Sequence, residues 1–546
     1  MYNMSKNINK IVLQLLNNRG IAGDENIREF LSPKPLLTYD PFLLLNMKEG
    51  VDLIFDAINQ KKKICLYGDY DTDGITSISI LKIVLENLVD EVEYYIPSRE
   101  SEGYGINKEA IKKLYDKGNR LMITVDCGIV AYDEVEYAKS LGMDVIVTDH
   151  HSVGEKIPDC IVINPKQDGC PYPFKHLAGC GVAFKVAQAI QRRGGLPKNI
   201  INGILDIVAI GTIADVVPLI DENRTIVKYG MRSISGLKRP GVEQLATRVL
   251  KNKESISTEN ISYNIVPHLN AAGRIEKADI GVELFVGTDL NDIADIVDKL
   301  VDLNNKRKEL QEKAYMECVE LYEEKYKDAL FPIIKLENAH EGITGIVAGK
   351  LKDYVGKPVA IVTPKNEDYK GTSRGIDTLN IYDILYSERE LFSKFGGHKG
   401  ACGFTICKEN IDLLNINIQK YMNSLPEDVF DIPVKYDLEL QGEDLSIELV
   451  KEIEKMEPFG FGNEKPVFRI SNIKCREIKA IGANLKHGKF KGYVDGHDGL
   501  ECVFFNCGRD VLDNIEKSSS IDIIGRLEIN SWKGRESLQF IVEKVI

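Results

Sequence analysis

Carboxylates and imidazoles recur after apolar runs in the first half of the chain. Asp69, Asp71 and Asp73 alternate in Gly68-Asp69-Tyr70-Asp71-Thr72-Asp73-Gly74. Asp126 lies in Thr124-Val125-Asp126-Cys127-Gly128, Asp149-His150-His151 follows Met143 to Val147, and Asp215 lies in Gly211 to Val217. In an extended segment alternate side chains share a face, so Asp69, Asp71 and Asp73 converge while Tyr70 and Thr72 point elsewhere. Carboxylates on one face repel one another unless a cation or a proton lies among them. An EF-hand calcium loop opens the same way, but it closes on a glutamate where this chain has Ile80. By the same alternation His150 and His151 face opposite ways, which assigns His150 to a metal ion and His151 to a substrate phosphate or leaving oxygen. Taken singly, Asp126 or Asp215 would read as a helix N-cap, and a lone histidine as a core residue. Their co-occurrence favours a site. Hard oxygens with an imidazole suit Mn2+ or Mg2+ better than Zn2+. Two such ions ~4 Å apart, bridged by one carboxylate, would polarise a phosphate and generate the attacking hydroxide. The chemistry implied is metal-dependent phosphodiester hydrolysis.

No rival chemistry is visible. The chain has no G-x-x-x-x-G-K-[ST] loop, no H-E-x-x-H and no G-x-S-x-G, and Gly345-x-x-x-Gly349-Lys350 reads as close helix packing.

The elements that carry these residues follow from hydrophobic period. Ile64–Tyr67, Val92–Ile96, Leu121–Val125, Val145–Thr148 and Ile161–Ile163 read as short strands. Helical patterns at Thr76–Leu88, Lys108–Tyr115 and Tyr132–Leu141 lie between them. Such alternation predicts a parallel sheet covered by helices, which holds its ligands beyond the carboxyl ends of its strands. Helices at Gly179–Arg192 and Ile204–Ala214 follow, the second leading to Asp215. Thr288 to Leu330 is a long charged amphipathic helical region, read as a connector. A second α/β unit runs from Phe331 to about Ser424, and Pro426 to Pro433 is a linker. Short strands at Val467–Ile470, Phe490–Val494, Glu501–Phe505, Ile521–Ile529 and Ser537–Val545 suggest a small β-barrel of OB type. The first forty-five residues read as an appendage.

With 546 residues the chain needs several domains. No apolar run is long enough to span a membrane, and Met1 to Lys10 lacks a secretion signal pattern. Eleven cysteines, none in a C-x-x-C pair, fit a reducing cytoplasm. A net charge of −13 argues against a basic nucleic-acid face, but a carboxylate-rich centre and a local basic groove can coexist with an acidic exterior.

The four runs DYDTDG, TVDCG, DHH and GTIADVVPL, in that order, resemble the DHH phosphoesterase superfamily, and within it the single-strand-specific exonucleases. The resemblance implies an α/β architecture: a parallel-sheet DHH catalytic domain (46–287), a long connecting helix (288–330), a DHH-associated substrate-binding domain (331–425) and a C-terminal OB-like barrel (426–546) after the appendage (1–45). It implies two Mn2+ or Mg2+ ions, with Asp71 and Asp73 as first-ion carboxylates, Asp126 bridging, and His150 and Asp215 on the second ion. Asp69 matches a position beside the metals and joins His151 and Asp126 as the catalytic set. Arg274, closing Asn270-Ala271-Ala272-Gly273-Arg274, matches a phosphate-binding arginine, while His268 stands where the family commonly has Arg. Thr372 and Arg374 in Gly371-Thr372-Ser373-Arg374 resemble a phosphate grip, and His398 the end of a Gly-Gly-His motif. His340-Glu341-Gly342 resembles a His-x-Gly motif. Arg99 in Pro97 to Gly105 matches an arginine that holds a terminal 5′ phosphate, a task suited to a guanidinium fork.

On the barrel, Lys474, Arg476, Lys479, Lys486, Lys489 and Lys491 interleave with Phe490, Tyr493, Phe504 and Phe505, which suits base stacking with backbone neutralisation. Trp532-Lys533-Gly534-Arg535 reads as a basic hairpin tip. The expected function is 5′-to-3′ hydrolysis of single-stranded DNA to mononucleotides by a cytoplasmic monomer, with a single-strand-binding protein or a helicase as candidate partners and no membrane association. A short-substrate DHH phosphodiesterase or an inactive DNA-binding relative are the alternatives. Removing Pro458 to Ile546 is expected to weaken long-strand binding while sparing short oligomers.

Overall fold

Apolar residues of the first sheet alternate between two cores. In β1 (Lys63–Gly68), Ile64 and Leu66 enter one core, and Cys65 and Tyr67 the other. In β3 (Asn119–Val125), Leu121, Ile123 and Val125 face the first core and Met122 the second. Burial on both faces explains why these strands read as continuous apolar runs. With β2 (Glu93–Tyr95), β4 (Asp144–Thr148) and β5 (Ile161–Ile163) they form a parallel sheet of order β2-β1-β3-β4-β5. Register does the positioning. Gly68 pairs with Val125 and Val125 with Thr148, so the next residues, Asp69, Asp126 and Asp149, leave the sheet at one level. The computed structural model describes residues 8–99, 101–103, 105–236, 238–251, 256–430, 435–482, 485–532 and 534–546. Glu100 and Tyr104 of the arginine run, part of the expected linker, and Lys533 with the Trp532 side chain lie outside the described residues.

The helix after β1 spans Thr72–Leu85, starting before the expected Thr76. Asp71 is its N-cap and accepts hydrogen bonds from the Asp73 (3.0 Å) and Gly74 (3.1 Å) amides. The segment carrying Asp69, Asp71 and Asp73 is therefore half turn and half helix, and the expected strand-like alternation does not hold.

One 32-residue helix, Leu290–Leu321, about 48 Å long, joins the two α/β units. Ile293, Val297, Leu300 and Leu303 pack into the first core, while Ala314 and Cys318 pack into a core of the second unit. The connector is thus part of two cores rather than a solvated link. The second sheet has order β6-β7-β8-β10-β9, built from Ile333–Lys335, Val359–Lys365, Asp368–Arg374, Phe392–His398 and Ala401–Cys407 for β6 to β10.

The C-terminal sheet contains β11 (Leu438–Glu439), β12 (Phe468–Ile481), β13 (His487–Val494), β14 (His497–Phe504), β15 (Ile521–Trp532) and β16 (Arg535–Val545). Pairing of β12 with β15 closes it into an OB-like barrel. Phe490 is buried in the barrel and Phe504 packs against its core; Tyr493 is half-buried and Phe505 exposed. The interleaved aromatics thus divide between core and surface by pleat.

The N-terminal segment is no loose appendage. Ile11, Val12, Leu15, Leu16 and Ile27 share one core with Leu449, Ile453 and Phe468 of the C-terminal domain. Arg19 donates to the Asn463 side chain and, at 2.6 Å, to the Glu464 carbonyl. The segment then crosses to the catalytic unit, where Lys185 and Thr38 both donate to the buried Glu222 carboxylate at 2.6 Å. Between these anchors lies Arg224, only 3% exposed. Its guanidinium donates to the Phe30 carbonyl (2.9 Å) and the Glu457 carbonyl (2.7 Å), and stacks on the Phe30 ring at 3.7 Å. Arg224→Ala leaves buried carbonyls unpaired at the meeting point of arm, catalytic unit and barrel. It is expected to cost about 2–4 kcal/mol in urea unfolding and to open residues before Tyr39 to limited proteolysis. A proteolytic pattern identical to wild type would show that the arm is held otherwise.

The same junction bears on truncation. Leu219 donates its amide to the Phe461 carbonyl (2.7 Å) and Thr258 its hydroxyl to the Phe459 carbonyl (2.6 Å). A cut at Pro458 would strip these partners from the catalytic unit and bare the arm's apolar face, so the barrel is not separable there without cost.

Candidate metal centre

The acidic side chains reach the centre from two strand ends and two helix ends. Asp69 and Asp126 follow β1 and β3 and are 4% and 3% exposed. Asp126 has φ 58°, a left-handed conformation sparsely populated by non-glycine residues and found where surrounding structure enforces it. Asp73, buried in the first turn of the Thr72–Leu85 helix, accepts the Gly179 (2.7 Å) and Cys180 (2.8 Å) amides that open the Gly179–Gly194 helix. Asp215 caps the C-terminal end of the Leu205–Ala214 helix. His150 Nε2 lies 3.1 Å from Asp126, 3.6 Å from Asp215 and 3.8 Å from Asp73.

Ligand atoms within 4.8 Å of one another form three groups: Asp69, Asp71 and Asp126; Asp73, His150 and Asp215; and Asp126, His150 and His151. Asp126 and His150 each belong to two of them. Asp71 and Asp73 fall in different groups because the chain turns into helix between them. His150 and His151 do not face opposite ways either, since their ring centroids are 4.5 Å apart. Asp149 is the reason. Its carboxylate accepts the backbone amides of His150 (2.7 Å), His151 (3.0 Å) and Ile129 (2.9 Å), which bends the strand end, and contacts His151 Nδ1 at 2.7 Å. Asn164 donates to the His151 carbonyl at 3.0 Å and holds the other side of the bend.

The electrostatics of this cluster call for cations. Burial, then mutual repulsion, pushes Asp69 and Asp126 well above the carboxylate range, Asp73 to about 7 and Asp215 to about 9. Burial, then the neighbouring His151, pushes His150 down to about 3, so its imidazole is neutral and its approach to Asp126 is no ion pair. For His151 burial acts downward, but the hydrogen bond and charge of Asp149 outweigh it and raise the pKa. Among the described residues Asp69 Oδ1, Asp126 Oδ1, Asp215 Oδ2 and both His150 ring nitrogens are buried with no hydrogen-bond partner. Orphaned acceptors that converge are costly in a folded protein unless a ligand satisfies them. Oxygen donors with one neutral imidazole fit Mn2+ or Mg2+.

Cations flank the carboxylates. The Arg99 guanidinium lies 5.2 Å from the Tyr70 ring centre and interacts with Asp69. Arg274 donates to the Gly342 carbonyl at 3.0 Å; burial, then Arg99 and Arg307, push it down to about 10. Burial and then Arg99 lower Arg374 as well. These three expected arginines are brought together, and Arg307 of the connecting helix joins them. Thr372 lies 3.4 Å, hydroxyl to hydroxyl, from Thr344 at the start of the Thr344–Val355 helix, so a phosphate there would also meet a helix N-terminus. His398 is on the same sheet face, in the row Arg374–Ala401–His398, but two strands away, exposed, and accepting the Gly400 amide at 3.2 Å. His268 contacts the Asn264 carbonyl of its own helical stretch at 2.5 Å, and His340 accepts the Gly342 amide at 3.0 Å.

Sequence reasoning missed four contributors. The bending role of Asp149, the Asn270 contact to Thr72, Arg307, and half-buried Lys166 facing Asp215 and Asp149 have no spacing signal of their own. Asn270 opens the run that ends in Arg274.

Three family models match the chain: the DHH family N-terminal domain over residues 63–212, the DHHA1 domain over 331–424 and the RecJ OB domain over 436–544. The chain is 38% identical to the single-stranded-DNA-specific exonuclease RecJ of Bacillus subtilis, covering 98% of this chain and 68% of that protein. It is 31% identical to the Haemophilus influenzae protein of the same name, over 93% of this chain and 91% of the relative. Its structure resembles that of RecJ in complex with Mn2+ from Thermus thermophilus, with a TM-score of 0.85, 27% identity and coverage of 100% of this chain and 77% of that one. The buried carboxylate and imidazole cluster, the arginines beside it and the barrel thus occur together in a chain that belongs to the RecJ family of single-stranded-DNA-specific exonucleases.

Proposed function

We propose that this protein hydrolyses single-stranded DNA from the 5′ end to mononucleotides, in DNA repair and recombination. The observation that carries the reading is the meeting of orphaned metal ligands with Arg99, Arg274 and Arg374 at one place. Asp69, Asp71 and Asp126 would hold one Mn2+ or Mg2+ ion, and Asp73, His150 and Asp215 the other, with Asp126 shared. When bound, such ions neutralise the scissile phosphate and activate the attacking water.

The protein's own groups do the rest. His151, whose pKa the Asp149 carboxylate raises and whose side chain is 45% exposed, donates to a phosphate oxygen or the departing 3′ oxygen. Arg99, Thr372 and Arg374 hold the terminal 5′ phosphate, Arg274 orients the phosphate between the domains, and His398 lines the outer edge of the grip. Water forms the new P–O bond and the bond to the 3′ oxygen of the terminal nucleotide breaks, so the released nucleotide keeps its 5′ phosphate. On the barrel, Arg476 over Tyr493 (5.2 Å) with Lys474 and Lys479 offers a sequence-independent strand surface. Lys489 and Lys491 are partly answered by Glu501 and Glu477 at 3.2 and 2.8 Å. The acting unit is a cytoplasmic monomer, and a single-strand-binding protein or helicase would present the substrate.

Labelled single strands decide the reading. Mononucleotides released from the 5′ end only, lost with EDTA, and a 5′-phosphate preference that falls about tenfold or more in Arg374→Ala are expected. Turnover of cyclic or very short substrates with long strands untouched would favour a short-substrate phosphodiesterase instead.

A further inference from the structure

One unbroken chain of contacts runs from the metal ligands to the second domain's grip. Thr72 is fully buried and stands between Asp71 and Asp73, which belong to different ligand groups. Its amide (2.9 Å) and its hydroxyl (2.8 Å) both donate to the side-chain oxygen of Asn270. Asn270 lies on the Val266–Ile275 helix, where Gly273 packs so tightly on the Tyr70 carbonyl that a methyl group would not fit. The last turn of that helix delivers Arg274 to the Gly342 carbonyl, and Gly342 in turn abuts the Arg274 carbonyl with no room for a side chain. Two residues later Thr344 starts the helix beneath Thr372, and a Cβ on Gly345 would lie 2.8 Å from the Arg374 guanidinium.

We infer that Asn270 is a positioning residue for the hydrolysis: it fixes Thr72, and so sets the two metal-ligand groups at a defined distance from the terminal-phosphate grip. One acceptor that takes both donors of a residue fixes that residue's rotation as well as its place. Without it, the Thr72 amide becomes one more unsatisfied donor at a helix start, and Asp71 and Asp73 lose the brace between them. The Val266–Ile275 helix then acts as a spacer with the metal loop at one end and Arg274 at the other. The meaning given to the grip rests on the proposed exonuclease reading.

The test uses the full chain with Asn270→Ala, Thr72→Val, the double variant and Thr72→Ser. Mn2+ binding is read by electron paramagnetic resonance of the free ion, which needs no turnover, and cleavage is compared on 5′-phosphorylated and 5′-hydroxyl oligonucleotides. Asn270→Ala is expected to weaken Mn2+ binding about tenfold and to lower the 5′-phosphate preference. Thr72→Ser, which keeps the hydroxyl, should bind Mn2+ as wild type does, and the double variant should lose no more than Asn270→Ala alone. Unchanged Mn2+ binding with only a lower melting temperature would overturn the inference, as would additive losses in the double variant. A wild-type protein without 5′-phosphate preference would defeat the terminal-phosphate grip of the proposed function, while the Mn2+ measurement would still decide the role of Asn270.

Discussion

Asp126→Asn is expected to lower hydrolysis on the order of 10^3-fold or more while leaving the fold intact. Asp126 is the carboxylate that two ligand groups share, and its Oδ1 is buried without a protein partner. An amide there keeps the shape but gives up the negative charge that the proposed ions would need. Asparagine is also the right probe for the backbone, because it adopts the left-handed conformation at φ 58° more readily than alanine does. Removing one of several repelling carboxylates should leave the metal-free protein at least as stable as wild type. The measurement is steady-state cleavage beside thermal unfolding in EDTA. Activity within about tenfold of wild type would mean that Asp126 does not hold metal.

Without metal, the melting temperature is expected to fall as pH rises from about 6.5 to 9, and added Mn2+ or Mg2+ should reverse the trend. Asp73 at about 7 and Asp215 at about 9 lie above the ordinary carboxylate value, so between that value and their own the folded state holds protons that the unfolded state has released. Stability from these groups is present at low pH and is lost as pH climbs through 7 and then 9. His150, held down at about 3, works the other way: its contribution is complete above its ordinary value near 6.5 and is lost only as pH falls below it. Above about 6.5 the carboxylates act together with His151, whose pKa Asp149 raises, and against Lys228, which burial lowers to about 8. Divalent cations compete with the same protons and bind more tightly as pH rises, so the gap between melts with metal and with EDTA should widen towards pH 9. A flat EDTA series, or a gap that narrows, would contradict this charge distribution.

Strands were the most legible part of the fold. The expected Leu121–Val125 and the observed Asn119–Val125 differ by two residues at one end, because a strand buried on both faces writes itself as an unbroken apolar run. The side chains of the centre were legible as a set but not in their grouping. Asp71 is a helix N-cap as well as a proposed ligand, and nothing local says that the helix starts at Thr72. The two histidines depend on three amides that bind Asp149, one of them from Ile129 on another strand end. On the barrel Phe490 and Tyr493 lie three residues apart on one strand and so on opposite faces, but composition alone does not say which of them faces the core. The N-terminal segment was least legible, because its apolar stripe is explained only by residues at the far end of the chain.

That pairing of the two ends has a consequence for how the molecule is made. Arg19 and its partner Asn463 are 444 positions apart, and the core that contains Leu15 and Leu16 also needs Phe468 and Phe540. On a ribosome the arm emerges before the barrel that covers it and must remain exposed until that domain follows. Domains tend to fold in order of synthesis, and contacts this distant in sequence form slowly. The catalytic sheet can therefore assemble well before the arm and barrel lock together, while Leu219 and Thr258 wait for Phe461 and Phe459 to satisfy them.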